Sequence, residues 1–170
     1  RFIVGPRGVG KSTLLLQRIK EQQGNGKYLY VSADNIYFTN HTLVNLANEF
    51  VKDNGTHLFV DEVHKCPHWS RELKNIYDEQ PDLHIVFTGS SVLDILHGEA
   101  DLSRRTLMRT MQGLSFREFL ELNHGIISPA YKLDEIVQHK VELRDLQHPL
   151  PLFRQYLKEG YYPFSKEDGF

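Results

Sequence analysis

The stretch Phe2-Ile3-Val4-Gly5-Pro6-Arg7-Gly8-Val9-Gly10-Lys11-Ser12-Thr13 joins a short apolar run to a segment of helical period through a glycine-rich turn. Residues 5–12 fit the spacing G-x-x-x-x-G-K-[ST], and the strand-before, helix-after context is the one in which that spacing carries its mechanism. Glycines let the backbone wrap closely, so that successive N–H groups point at phosphate oxygens, and the helix opening near Ser12 adds its positive dipole end. Lys11 brings a full positive charge to the β- and γ-phosphates. The Ser12 hydroxyl suits Mg²⁺, and Thr13 is placed to touch an α-phosphate. Arg7 sits in the same loop, with a phosphate contact and a solvated surface position both open to it.

Working outward, short β-branched or aromatic runs alternate with longer stretches of helical period, the pattern of βαβ units on a parallel sheet. Five strands are predicted: Phe2 to Val4, Tyr28 to Ser32, Leu58 to Asp61, Ile85 to Thr88 and Leu107 to Met111. The first four are apolar enough to be covered on both faces. Helices are expected over Ser12 to Gln22, Thr42 to Lys52, Trp69 to Asp78 and Ser91 to Leu96. Beyond Met111 the alternation gives way to helices alone. Ser115 and Glu118 have capping-box spacing, and Pro151 to Glu159 reads as a helix with Gly160 at its C′ position. The expected organisation is a nucleotide-binding core over 1–113 and a partial helical accessory segment over 114–170.

Of the 170 residues, 40% are hydrophobic and 25% charged, which excludes a disordered or fibrous chain. The formal net charge of -2 gives no general attraction to nucleic acid or anionic membrane. One cysteine, Cys66, forms no internal disulfide and fits a reducing cytoplasm. No apolar run approaches the roughly 20 residues that span a bilayer. The opening at Arg1-Phe2, already strand-like, suggests a trimmed front.

Leu58-Phe59-Val60-Asp61-Glu62 is an apolar strand ending in two carboxylates, at the edge where parallel sheets present ligand-contacting groups. This is a Walker B pattern. Asp61 is expected to hold Mg²⁺, and Glu62 to orient and deprotonate a water for attack on a γ-phosphate. Ile85-Val86-Phe87-Thr88-Gly89-Ser90 is a third apolar strand, ending in hydroxyls suited to sensing that phosphate, with Thr88 and Ser90 both candidates. The chain has neither the D-x-x-G that GTPases carry here nor N-K-x-D, which argues against guanine.

Together these segments resemble the AAA+ superfamily of P-loop ATPases, and more narrowly a group of prokaryotic ATP-binding proteins within it. Val60 to Lys65, Phe87 to Ser91, Asp101 to Arg105, Gly113 to Phe119 and Phe153 to Pro163 carry the narrower likeness, which covers nearly the whole chain. The resemblance implies an α/β three-layer sandwich whose parallel sheet has the order 5-1-4-3-2. It places an arginine finger just before the fifth strand, where Arg104 and Arg105 stand, acting in cis or from a neighbouring subunit of a homo-oligomer. It also implies a further C-terminal domain and an incomplete set of lid helices. Sensor 2 is not identifiable.

His64, Cys66 and His68 lie close together, but no second ligand pair at zinc-like spacing accompanies them. Trp69 reads as a core anchor. The expected cofactors are ATP and Mg²⁺, with ADP as product, and the expected activity is ATP hydrolysis. The alternative is a regulatory switch that hydrolyses slowly and signals through the missing domain.

Overall fold

The computed structural model describes residues 1–170 except 23, 25, 91–101, 103, 104, 142–145, 147 and 167–170, and the side chains of 165 and 166. The chain divides into two compact units, Arg1–Met111 and Gln112–Phe170.

In the first unit, β1 (Phe2–Val4), β2 (Tyr28–Ser32), β3 (His57–Asp61), β4 (His84–Gly89) and β5 (Met108–Thr110) form one sheet in the order β2-β3-β4-β1-β5. Every strand pair is parallel. This is the α/β sheet, and the 5-1-4-3-2 order, that the family likeness implied. Parallel neighbours need long crossovers, and these hold α1 (Lys11–Glu21) after β1, α2 (Leu43–Lys52) before β3 and α3 (Trp69–Glu79) before β4. Two short 3₁₀ turns, Ile36–Thr39 and Val63–Lys65, lack any periodicity from which they could be read. The helix expected over Ser91 to Leu96 lies outside the described residues.

Alternate strand residues point to opposite faces. Phe2, Val4, Leu58, Val60 and Phe87 pack in one core with Leu43, Ala47 and Phe50 of α2 and Trp69, Leu73 and Ile76 of α3. Trp69 is the anchor expected of it, its ring 5.7 Å from that of Phe2, which stacks on Phe87 at 4.5 Å. The expectation of two covered faces holds for Leu58 to Asp61 of β3, all buried. It fails for β2, half-buried throughout, because β2 ends the sheet and has only β3 beside it.

The second unit contains α4 (Phe116–His124), α5 (Leu133–Val137) and α6 (Pro149–Glu159). Phe119, Leu120 and Leu146 form its core, with Phe116, Leu152 and Tyr156 against them. The capping box is present: the Ser115 N–H donates to Glu118 Oε2 at 2.8 Å, and the Glu118 N–H to Ser115 Oγ at 3.3 Å. The left-handed helix stop falls on Gly125 (φ 67°) after α4. Gly160, expected at the C′ position, instead caps α6 with right-handed φ -79°. Its reason for being glycine is space, since a Cβ there would lie 2.5 Å from the Tyr156 ring and 2.7 Å from that of Phe119. Among the described residues, no helix is long and apolar enough to cross a membrane.

Candidate functional site

A parallel sheet brings the carboxyl ends of its strands to one edge. Ile3 and Val4 of β1 lie opposite Thr88 and Gly89 of β4, and β3, ending at Asp61, flanks β4 on the other side. The turn after β1, the acid pair after β3 and the hydroxyls of β4 therefore share that edge.

The turn has the shape its glycines permit. Gly8 (φ 85°) and Gly10 (φ 99°) are left-handed, a region that side chains with a Cβ rarely enter. Gly5 is needed for closeness, because a Cβ there would lie 2.2 Å from the Met111 carbonyl oxygen. Val9 is buried and fastens the turn, while Pro6, Arg7, Ser12 and Thr13 are exposed. Gly10 caps α1 without a side-chain acceptor, and the first turn of α1 holds no acid. The N–H groups at that helix start are thus left for an anion.

Lys11 is buried, and its ammonium donates to the Gly5 and Pro6 carbonyls at 2.9 and 2.8 Å. Burial pulls its pKa below the ordinary lysine value, and the nearby Glu62 and Asp61 charges oppose that fall. Two of its three protons serve the turn, which fixes the head group where a phosphate oxygen would meet the third.

Asp61 is buried at the end of β3 and accepts from the Tyr30 hydroxyl at 2.9 Å and from the fully buried Thr88 hydroxyl. Thr88 in turn accepts from the Glu62 N–H at 3.0 Å. Glu62 itself is left-handed (φ 52°, ψ 43°), a conformation that costs a non-glycine residue about 1–3 kcal/mol and concentrates at functional sites. Its carboxylate accepts from Ser90 Oγ at 3.4 Å and lies 3.9 Å from His64 Nε2. The two β4 hydroxyls thus have different neighbours: Thr88 braces Asp61, and Ser90 faces Glu62.

Arg105 stands elsewhere. Arg105 forms a two-pronged pair with Asp78 near the end of α3, at 3.0 and 3.2 Å. It precedes β5, whose first residue pairs with the first residue of β1. That puts it at the opposite edge of the sheet, on the order of 15 Å from the turn at ~3.3 Å per residue. The structure does not bring it to this site within one chain, and Arg104 lies outside the described residues.

Sequence reasoning missed Tyr30 and the placement of His64 beside Glu62. Tyr30 reads only as a strand residue, because its nearness to Asp61 depends on strand register. His64 was considered as a metal ligand beside Cys66 and His68, whereas it faces Glu62, and its buried Nδ1 has no partner among the described residues. Cys66 is a core residue whose thiol is pushed up to about 11, mainly by burial.

Residues 1–120 match a family model described as AAA domain. The chain belongs to that AAA domain family. As the match covers more than half of the chain, AAA-type P-loop ATPase membership follows, and with it, at the level of the family, nucleotide binding and nucleotide-dependent ATPase activity. The matched span of this AAA domain holds the turn, the acid pair and both β4 hydroxyls. No curated protein matches the chain.

Proposed function

We propose that the chain binds ATP with Mg²⁺ and hydrolyses it to ADP and phosphate. One observation carries the reading: among the described residues the buried charged or polar side chains are Lys11, Asp61 and Thr88, all at the edge where the glycine turn and Glu62 lie. Burying charge is unfavourable unless it is paired, so three such groups in one place point to a site built around a charged ligand.

In this reading the backbone of Gly5 to Thr13 and the Lys11 ammonium hold the triphosphate. The Ser12 hydroxyl and Asp61 carboxylate are the hard oxygen donors that Mg²⁺ takes, and the bound ion would supply neutralising charge on the β- and γ-phosphate oxygens. Glu62 accepts a proton from water as that water's oxygen attacks the γ-phosphorus and the ADP oxygen departs with the bonding electrons. Ser90, beside Glu62, orients its carboxylate. Glu62→Gln keeps the shape and hydrogen bonds but not the basicity. Its ATP affinity is expected to stay within about twofold of wild type while steady-state turnover falls at least roughly 100-fold; full turnover would remove Glu62 from its role.

The alternative is a slowly hydrolysing regulatory switch. Single-turnover and steady-state rates of the wild type distinguish the two. Arg104 and Arg105 enter only at a site shared between copies. Mixing wild type with an Arg104→Ala/Arg105→Ala double variant should then lower turnover per wild-type chain, and activity unchanged at every ratio would exclude a shared finger.

A further inference from the structure

Tyr30 belongs to neither the phosphate-binding turn, the acid pair nor β4, yet its hydroxyl lies among them. The placement follows from register. Tyr30 is opposite Phe59, and Ser32 is opposite Asp61, so Tyr30 and Asp61 are diagonal neighbours on one face, a spacing that an aromatic side chain bridges. The phenol donates to Asp61 Oδ2 at 2.9 Å, while Oδ1 takes the Thr88 hydroxyl. Both carboxylate oxygens are therefore fixed in direction. A tyrosine hydroxyl is a neutral donor over the physiological range. A neutral donor suits this position: it aims the carboxylate without cancelling the charge that draws a cation, as a lysine or arginine there would.

Resting on the ATP and Mg²⁺ reading of this site, we infer that Tyr30 is a positioning residue for the divalent cation, holding the Asp61 carboxylate in the orientation the ion requires. It acts through that carboxylate and touches neither water nor phosphate in the reaction. Outer partners of metal-holding groups act by fixing geometry, and their loss typically weakens metal affinity by about 10- to 100-fold.

Tyr30→Phe removes one hydroxyl and keeps the ring. Binding of a non-hydrolysable ATP analogue would be measured by calorimetry on the 170-residue chain, across stepped Mg²⁺ concentrations and in EDTA. The expected result is an Mg²⁺ concentration for half-maximal enhancement raised about tenfold, with the EDTA affinity and the melting temperature unchanged. An unchanged Mg²⁺ dependence overturns the inference, and so does a lowered half-saturating concentration, which would make the hydroxyl an obstacle to the ion. Parallel loss of EDTA affinity and melting temperature also overturns it, leaving Tyr30 a packing residue. Wild-type chain that binds no analogue under any condition overturns the nucleotide reading itself, an outcome distinct from Mg²⁺-dependent binding that Tyr30→Phe leaves intact.

Discussion

The two units handle polarity in opposite ways. Arg1–Met111 buries Lys11, Asp61 and Thr88 at one sheet edge, where they bond to the turn and to one another. Gln112–Phe170 buries Phe119, Leu120 and Leu146 and places polar contacts such as the Ser115–Glu118 box on exposed helix ends. It also leaves Ile127, Leu133, Val137, Leu150 and Leu157 exposed. Buried polarity is tolerated where a ligand gives it purpose, whereas the second unit's polar groups serve its helices. Substitutions in the first should therefore change binding more than stability, and those in the second the reverse.

Lys11→Ala tests this most severely. Removing the ammonium should weaken ATP binding beyond about 1000-fold, ~4 kcal/mol by calorimetry, while the ligand-free melting temperature holds or rises, because an incompletely compensated buried charge is gone. A large fall in ligand-free stability would break the comparison. Phe119→Ala is the counterpart. Emptying that site should destabilise the second unit by about 3 kcal/mol, seen as earlier loss of its amide protection in hydrogen exchange, with ATP affinity kept by the first unit.

Smaller effects sharpen the contrast. Ser115→Ala should lower the stability of α4 by about 1 kcal/mol and leave nucleotide binding unchanged. The same box sets a pH dependence. Hydrogen bonds from the Ser115 N–H, then its hydroxyl, hold the Glu118 carboxyl below its ordinary value. A lowered folded pKa means that this stabilisation is complete above the unfolded carboxyl pKa and is lost as pH falls through the folded one. Acid titration of α4 helicity should therefore show a step that Glu118→Gln removes and that Ser115→Ala, which keeps the backbone N–H, only diminishes.

How much of this was legible depended on whether the information was contiguous in the chain. Gly5 to Thr13 is one uninterrupted stretch, so its turn, its lysine and its following helix could be read together, and β1 to β4 announced themselves as apolar runs ending in the residues that matter. Thr88 and Ser90 could not be told apart, because their neighbours depend on how β4 sits between β1 and β3. Tyr30 was invisible for the same reason, being close to Asp61 only through strand pairing. Gly125 and Gly160 show a local limit. Both follow a helix, and composition does not reveal that one supplies a left-handed turn while the other makes room for two aromatic rings. Arg105 was placed in sequence but not in space, and only the β1–β5 register shows that it stands at the far edge of the sheet.

The close approach of Gly5 to Met111 has a mechanical meaning. The Met111 N–H donates to the Val4 carbonyl at 2.7 Å, and its own carbonyl fills the space where a Gly5 side chain would be. The last residue of the first unit is thus bonded to the end of β1 and packed against the first residue of the glycine turn. A bulkier residue at position 5 would have to displace this backbone, so the space beside the turn is set by main chain that no rotamer change can clear.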